Sequence, residues 1–369
     1  MGIKQFETRF SLVEKLRERG LDFEEDELKE ILIKYNYFNL FNGIESLLLS
    51  SKKPKRFNGI KLKDFLNIYN FDKKLNAIIL IKLNYVEQRL KNSISYHFAN
   101  QYCNTINDTM QYTNKNNFMN PIDSDERSNT YCKYSEIYPF VSEQNYNIYY
   151  NFNNFTLFKP YFLTNLINNN DHIEEQFYQD SSYVAPRDVV KYRDANGDDN
   201  TSVAVPFWVA IETLTFGETI RLLHYLQDSV LTNVMHDFGL KISKKDVFLN
   251  MLDFLLCLRN SCAHTSLVNR FRTPRRYCIN ALLNNVFKLN PKYTGEKKSV
   301  LKLYDVLKIL SYFVDLSELK NMIRIILIKN LFSLGFTKVA KINKLILDRM
   351  GCSQYNSWMR MLSGEKYCL

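Results

Sequence analysis

Apolar residues recur at helical spacing along most of the chain, and the longest such pattern covers residues 61–101. Leu75, Val86, Leu90 and Ile94 belong to it, and polar residues fill the gaps between them. Spacings of three, four and seven residues place side chains on one face of an α-helix. The pattern therefore predicts one or two long helices, each with one apolar face.

Shorter stretches of the chain show the same periodicity. It predicts two helices in residues 8–50, one in 206–228, a short one in 229–236, a strong one in 245–264, and two or three in 301–348. Pro206 suits the first turn of its helix, where the missing N–H is not needed. Together these patterns predict a mostly α-helical fold.

Residues 102–200 differ from the rest of the chain. They are rich in Asn, Tyr and Asp, show little periodicity, and end in the polar stretch 187–200. We interpret them as an irregular insertion, partly helical, that ends in a loop at 187–200. The predicted organisation is an N-terminal helical region at 1–60, a helical core at 61–280 that contains the insertion, and a C-terminal helical region at 281–369.

The composition favours helices and excludes several classes of protein. Only 11 Gly and 8 Pro occur in 369 residues, which is few for a many-turned sandwich or barrel. The hydrophobic share of 46% excludes a chain that is disordered throughout. Seven cysteines without a CxxC pair indicate neither a disulfide framework nor a zinc site. We expect reduced thiols, no metal and no cofactor.

Targeting and membrane-spanning segments are not evident in the sequence. The first ten residues carry charges and lack an apolar run, which argues against a signal peptide. The longest apolar stretches, at 77–83 and 322–328, are too short or too interrupted by charges to cross a bilayer. We therefore expect a cytoplasmic protein without a membrane partner.

The net charge of the chain changes this picture, because it points to a class of partner. Lys and Arg exceed Asp and Glu by 49 to 39, which gives +10 at pH 7. Such an excess favours a polyanionic partner, above all nucleic acid. The alternative is a soluble protein with a basic bias and no such partner.

The end of the predicted helix at 245–264 carries the residues best suited to chemistry. Arg259, Asn260 and His264 lie there, and Arg259 and His264 are about 140° apart around an ideal helix. A helix end or a partner helix must therefore bring them into one cleft. Arginine can bind a scissile phosphate, and histidine can move protons to and from ribose hydroxyls without a metal. The alternative is a surface arginine beside a helix-end histidine.

Four blocks of sequence resemble the Abi-like abortive-infection family of bacterial anti-phage proteins. They are the run 69–75 (YNFDKKL), the run 86–97 (VEQRLKNSISYH), the run 206–217 (PFWVAIETLTFG), and the motif 258–265 (LRNSCAHT) with the Asn-Arg pair at 269–270. The blocks occur in the family's order between residues 69 and 270. This order is far more specific than the spacing of Arg259 and His264 alone.

The resemblance implies a compact helical bundle of the HEPN type, a class that includes metal-independent RNases. Arg259 and His264 would be the catalytic pair, with Asn260 as a polar aide. HEPN RNases usually pair two domains across one composite site. The chain has one clean motif, so the resemblance implies a homodimer.

The chain departs from the family pattern at two positions. Thr265 stands where the family often has a second histidine, and Lys91 stands where the family usually has arginine. Lys91 and His97 could form a degenerate second site, or be a solvated lysine and a histidine that packs between helices. Glu212 is a candidate to orient His264 or to pair with Arg259. The alternative for Glu212 is an ordinary buried ion pair.

Two basic segments are candidates for RNA binding. The first contains Arg270, Arg272, Arg275 and Arg276, with Phe271 and Tyr277 interleaved. This arrangement suits phosphate contacts and base stacking, or else forms a solvated loop. The second contains Lys52, Lys53, Lys55 and Arg56 in a Pro-containing stretch that we predict to be an exposed loop. Such a run is more often simply a soluble surface.

Three functions remain open on the sequence alone. The first is an anti-phage RNA endonuclease in which the 2′-OH attacks the adjacent phosphate and leaves a 2′,3′-cyclic phosphate. A bound structured RNA or a protein partner would restrain it, and a phage or host protein could trigger it. The second is a non-catalytic RNA-binding or sensing module. The third is a protein-interaction scaffold that uses the 102–200 insertion as its surface.

Overall fold

The computed structural model describes most of the chain outside the predicted insertion. The described residues are 6–104, 111–113, 115–119, 173–174, 189–193, 199–203, 206–264, 266–274, 277–293, 299–334, 336–365, 367 and 369. Helices dominate these residues, so the mostly α-helical fold is confirmed. Most of the predicted insertion lies outside the described residues.

The helices follow the sequence patterns closely. The α-helices are α1 (Arg9–Glu18), α2 (Glu25–Lys34), α3 (Glu45–Leu48), α4 (Leu62–Tyr102), α5 (Phe207–Ala210), α6 (Phe216–Tyr225), α7 (Asp228–Asp237), α8 (Lys245–Ala263), α9 (Ala281–Phe287), α10 (Leu303–Phe313), α11 (Glu318–Leu334), α12 (Phe336–Met350) and α13 (Tyr355–Met361). The predicted long apolar pattern is one continuous helix, α4, of 41 residues.

The predicted helix at 206–228 is divided in the structure, and the cause is a helix cap. Thr215 accepts a hydrogen bond from the backbone N–H of Glu218, and the Glu218 carboxylate accepts one from the backbone N–H of Thr215. This reciprocal capping box starts a new helix, α6, at Phe216. Periodicity alone cannot show such a break, because the apolar face continues across it.

The strands of the described residues are short and pair in four small sheets. β1 (Leu21–Asp22) pairs in parallel with β4 (Ile60–Lys61), and β2 (Ser51–Lys52) pairs with β3 (Lys55–Arg56) as a hairpin. β5 (Ile173–Glu174), β6 (Val189–Arg193) and β7 (Asp199–Val203) form an antiparallel sheet, and β8 (Lys292–Tyr293) pairs with β9 (Ser299–Val300).

Two loop predictions are therefore wrong in part. The stretch 187–200 contains β6 and the start of β7, where Val189 and Val190 supply the β-branched side chains that favour strands. The basic stretch at 51–56 is exposed as predicted, but it is a hairpin rather than an irregular loop.

The chain divides into two compact units. The first unit contains residues 1–83, 257–273 and 301–367, and the second contains 84–256, 274–300 and 368–369. Each has its own buried core: Phe41 packs on Phe65 in the first, and Phe98 packs on Phe207 in the second. The predicted division into three regions stays a prediction. Across the described helices, none is both long and apolar enough to cross a membrane.

Candidate functional site

The residues of the predicted catalytic motif lie at the C-terminal end of α8, in the first unit. Arg259 lies just before the last turn of this helix, Asn260 begins that turn, and His264 follows the final residue, Ala263. The backbone N–H of His264 still donates to the carbonyl oxygen of Asn260, at 3.1 Å. The side chains of Asn260 and His264 are exposed, and Arg259 is half-buried.

The end of α8 is capped by side chains from two places in the fold. The last carbonyl groups of a helix have no donors within the helix. Here the carbonyl oxygen of Ser261 accepts from the Ser266 hydroxyl at 2.6 Å, and that of Cys262 accepts from Asn76 Nδ2 at 3.2 Å. The backbone that leads into His264 is therefore held in place.

The Arg259 guanidinium has little to bind within the described residues. Its Nε is buried without a hydrogen-bond partner, and its Nη1 lies 3.4 Å from Asn260 Oδ1, which is long for a hydrogen bond. Across the part of the chain that the structure describes, no carboxylate forms an ion pair with it. A guanidinium with unused donors can donate two hydrogen bonds to the oxygens of a phosphate group.

The loop after α8 is fixed by a buried carboxylate on α4. Asp72 accepts hydrogen bonds from the backbone N–H groups of Val268 and Asn269, at 3.0 and 2.7 Å, and from Asn269 Nδ2, at 2.7 Å. Burial raises the pKa of Asp72 to about 6, although the bonds from Asn269 and Val268 and the charge of Lys73 oppose the rise. Asp72 thus fixes the turn that leads to Arg270.

Arg349 of α12 holds the same turn from another side. Its Nη1 donates to the Gly43 carbonyl oxygen at 3.0 Å and to Asn269 Oδ1 at 3.3 Å, and its Nη2 donates to the Ser46 hydroxyl. Burial, together with the positive charges of Arg270 and Arg272, lowers the pKa of Arg349 to about 10, although the charge of Asp72 opposes the change. The three guanidinium groups therefore repel one another.

In the first basic segment, the described arginines are exposed and the aromatic rings are buried. Arg270 and Arg272 are exposed and form no ion pair within the described ranges. Phe271 and Tyr277 are buried, so the expectation that they stack on bases is wrong. Tyr277 instead packs against Phe254 in the second unit. Arg275 and Arg276 lie outside the described residues.

The second basic segment is partly neutralised. Lys55 forms an ion pair with Glu45, and Arg56 donates to the Glu18 carbonyl oxygen. Lys52 and Lys53 are exposed at the turn of the β2–β3 hairpin. Only half of this segment is thus left for an external anion.

Lys91 and His97 of α4 lie in the second unit and have acidic partners. Lys91 is buried, and its Nζ lies 3.2 Å from Glu87 Oε1, so the alternative of a solvated lysine is wrong. His97 Nε2 lies 2.9 Å from Asp237 Oδ2. Burial opposes the change, but hydrogen bonds from Ser93 and His97 lower the pKa of Asp237. Both candidates are bound into the packing of the helices.

Glu212 also lies in the second unit. It is exposed, its carboxylate accepts a hydrogen bond from Gln88 Nε2 at 3.3 Å, and its backbone carbonyl oxygen lies 3.4 Å from Lys91 Nζ. The alternative of a buried ion pair is wrong, because the side chain is not buried. Its predicted pairing with Arg259 or His264 stays a prediction.

Cysteine and metal chemistry find little support in the described structure. Burial raises the pKa of the Cys262 thiol to about 12, so it stays protonated and packs as a small apolar residue. No cluster of three or more His, Cys, Asp or Glu side chains that could hold a metal ion occurs among the described residues.

Sequence reasoning missed the residues that position the motif. Asp72 enters the sequence argument only as part of a block of resemblance, and no sequence pattern singles out Asn76 or Arg349. The sequence does carry one signal for Asp72, which falls on the apolar face of α4. A carboxylate buried there needs hydrogen-bond partners. Its partners lie 196 and 197 residues further along the chain, which the sequence alone does not show.

A comparison with protein families agrees with the blocks of resemblance. A family model described as Abi-like protein matches residues 30–269. The match includes α4, α8, Asp72 and the turn at Asn269, and it excludes α9 to α13. No curated protein and no solved structure matches the chain significantly.

Proposed function

The chain belongs to the Abi-like protein family, and from this premise we propose that it is a metal-independent RNA endonuclease of the HEPN type. Family membership favours a role in phage defence by abortive infection. The nuclease is the finer statement, and it rests on the residues at the end of α8.

One observation carries the proposal: an arginine without an acidic partner among the described residues lies five positions before an exposed histidine at a helix end. Arg259 keeps an unused, buried Nε, and within the described residues it has no carboxylate to neutralise it. A half-buried guanidinium that no described carboxylate neutralises favours binding of an external anion over a purely structural task. A phosphate oxygen fits this requirement in charge and geometry.

The proposed reaction is an in-line transfer within the RNA. The ribose 2′-oxygen forms a bond to phosphorus as the bond from phosphorus to the 5′-oxygen breaks. His264 accepts the 2′-hydroxyl proton or donates a proton to the departing 5′-oxygen, and Arg259 binds the charge that develops on the phosphate. The products are a 2′,3′-cyclic phosphate and a 5′-hydroxyl end. Asn260 would contact the substrate beside Arg259.

A second copy of the chain would complete this site. The reaction needs both a base and an acid, and one chain supplies one such histidine at the motif. No described residue hydrogen-bonds the His264 ring, so the described part of one chain does not orient it. We propose a homodimer in which two motifs face one RNA strand.

Substrate RNA would be held by the two basic segments, above all by cations for which the described structure shows no acidic partner. Arg270 and Arg272 follow the motif directly, and Lys52 and Lys53 form the tip of the hairpin. Arg275 and Arg276 extend the first segment, while Lys55 and Arg56 would contribute less because they already bind within the chain. A structured RNA bound to these groups, or a protein partner, would restrain the enzyme until infection.

An RNA cleavage assay in EDTA tests the proposal. Wild type is compared with Arg259→Ala and His264→Ala, and with two matched controls. His236→Ala removes another exposed histidine from the last turn of a helix, α7, and Arg324→Ala removes an exposed arginine from α11. We expect cleavage by wild type and both controls only.

A non-catalytic RNA-binding module is the second candidate, favoured by the His264 ring that nothing described orients. It predicts that RNA binds equally to wild type and His264→Ala, without cleavage by either. The scaffold alternative predicts partner capture that survives nuclease treatment and does not depend on Arg270 or Arg272. Equal cleavage by wild type and both motif variants would exclude the proposed site.

A further inference from the structure

We propose that Asp72 and Asn76 of α4 are positioning residues that hold the backbone on both sides of His264. The inference rests on the proposed function, because it assigns these residues a task in that reaction. Neither residue touches the reacting atoms. They act through the segment 262–269, which we call the motif loop.

The geometry places one anchor at each end of the motif loop. Asp72 and Asn76 are four residues apart, so they project from the same face of α4. Asn76 Nδ2 donates to the carbonyl oxygen of Cys262, and Asp72 accepts the backbone N–H groups of Val268 and Asn269. His264 lies between these anchors. One rigid helix thereby fixes both ends of the backbone that carries the histidine.

The Asp72 anchor is itself braced from outside. Asn269 donates its Nδ2 to Asp72 and accepts from Arg349, which also binds Gly43 and Ser46. A Cβ added at Gly43 would collide with the side chain of Leu267, so the motif loop packs directly on the backbone there. The far end of the motif loop is therefore held on two sides.

Stability alone does not explain a carboxylate at position 72. Asp72 is fully buried, and burying a carboxylate costs free energy that its hydrogen bonds offset only in part. The charged or titratable groups described around it are Lys73, Tyr69, Cys262 and Arg349. A well-packed apolar residue in such a place is often as stable or more so. The carboxylate instead supplies acceptors for two consecutive backbone N–H groups, which no apolar residue can do.

The test compares Asp72→Asn and Asn76→Ala with a matched control, Asp64→Asn. Asp64 is also a buried aspartate of α4, and it accepts the backbone N–H of Lys61 at 2.8 Å, away from the motif loop. We measure kcat and KM for RNA cleavage per folded molecule, and amide hydrogen exchange within residues 262–270. A displacement near 1 Å in a catalytic group can lower the rate about 100-fold.

The expected results distinguish a positioning role of Asp72 and Asn76 from a general loss of stability. Asp72→Asn lowers kcat by about 100-fold with little change in KM, and amide exchange in the motif loop becomes faster. Asn76→Ala has the same effect in the same direction. Asp64→Asn leaves kcat per folded molecule and loop exchange as in wild type, whatever it does to the melting temperature.

Three results would overturn the inference. The first is a kcat for Asp72→Asn within about twofold of wild type although loop exchange is faster. The second is an equal loss of kcat in Asp64→Asn, which would mean general destabilisation. The third is unchanged loop exchange in Asp72→Asn. If wild type does not cleave RNA at all, the proposed function fails by itself, and the exchange measurement still decides whether Asp72 holds the loop.

Discussion

The Lys91–His97 pair and the Arg259–His264 pair look alike in sequence and differ in their surroundings. Each combines a basic residue with a histidine on a helix or at its end. Lys91 is buried against Glu87, and His97 lies against Asp237. Within the described residues, Arg259 and His264 have no such partners. A cation already neutralised by its own chain contributes to packing, whereas one left without a carboxylate is available to an anion from outside.

Cleavage is the largest effect expected to separate the two pairs. His264→Ala removes a group that moves a proton in the reaction, so we expect the rate to fall by about 10²- to 10⁴-fold. His97→Ala should change the rate per folded molecule by less than about tenfold, since His97 binds Asp237. The rates are measured on one RNA under saturating conditions. Equal losses in both variants would remove the distinction between the two regions.

For the free energy of unfolding, the larger effect is expected at the Lys91 pair and the smaller one at Arg259. Glu87→Gln leaves Lys91 buried without its carboxylate, which is expected to lower the free energy of unfolding by about 3 kcal/mol. Arg259→Ala breaks no ion pair of the described structure, so we expect a change within about 1 kcal/mol. Urea denaturation measures both. A large loss in Arg259→Ala would show that this arginine has a structural task.

The pH dependence of the free energy of unfolding tests the buried environment of Asp72. Burial raises the pKa of Asp72 to about 6, so the folded state keeps this proton where the unfolded state has released it. Stability contributed by this proton is present below about pH 4 and is lost as the pH rises through about 6.

The substitution Asp72→Asn should abolish this loss of stability with rising pH. The difference in unfolding free energy between wild type and variant should shift by about 2 kcal/mol in favour of the variant between about pH 4 and pH 7. Denaturation of wild type and Asp72→Asn at both pH values measures it. A parallel pH dependence in wild type and Asp72→Asn would contradict the assignment.

The smallest expected effect concerns RNA binding by unpaired and paired cations. Replacing both Arg270 and Arg272 with Ala should weaken binding and lower the slope of log K against log salt by about one per lost phosphate contact. Lys245→Ala should leave the slope unchanged, because Lys245 already pairs with Asp228 at 3.0 Å. Filter binding across a salt series measures both slopes. Equal slopes in all proteins would place the RNA elsewhere.

The sequence predicted the helices better than the environment of the side chains. Long periodic patterns predicted α4 and α8, because the apolar face of a helix follows from the spacing of residues close together in the chain. The break before α6 was missed, since a capping box overrides a continuous apolar face. The β6–β7 hairpin was missed because its polar flanks resemble a loop.

The candidate residues can be selected from the sequence, but their partners in the structure cannot. The end of α8 was selected from Arg259 and His264, whereas the contact of His97 depends on Asp237, 140 residues away. The burial of Phe271, which removes it as a stacking ring, likewise depends on distant packing. Contacts between residues far apart in the chain decide which cations stay free, and one sequence does not reveal them.

The most direct test of the account is the chemistry of the RNA ends produced in EDTA by wild type and by His264→Ala. The account predicts 2′,3′-cyclic phosphate and 5′-hydroxyl ends from wild type, and no such products from His264→Ala. Cleavage that stops in EDTA, or that continues with the same ends in His264→Ala, would contradict the claim that the unneutralised pair at the end of α8 cuts RNA.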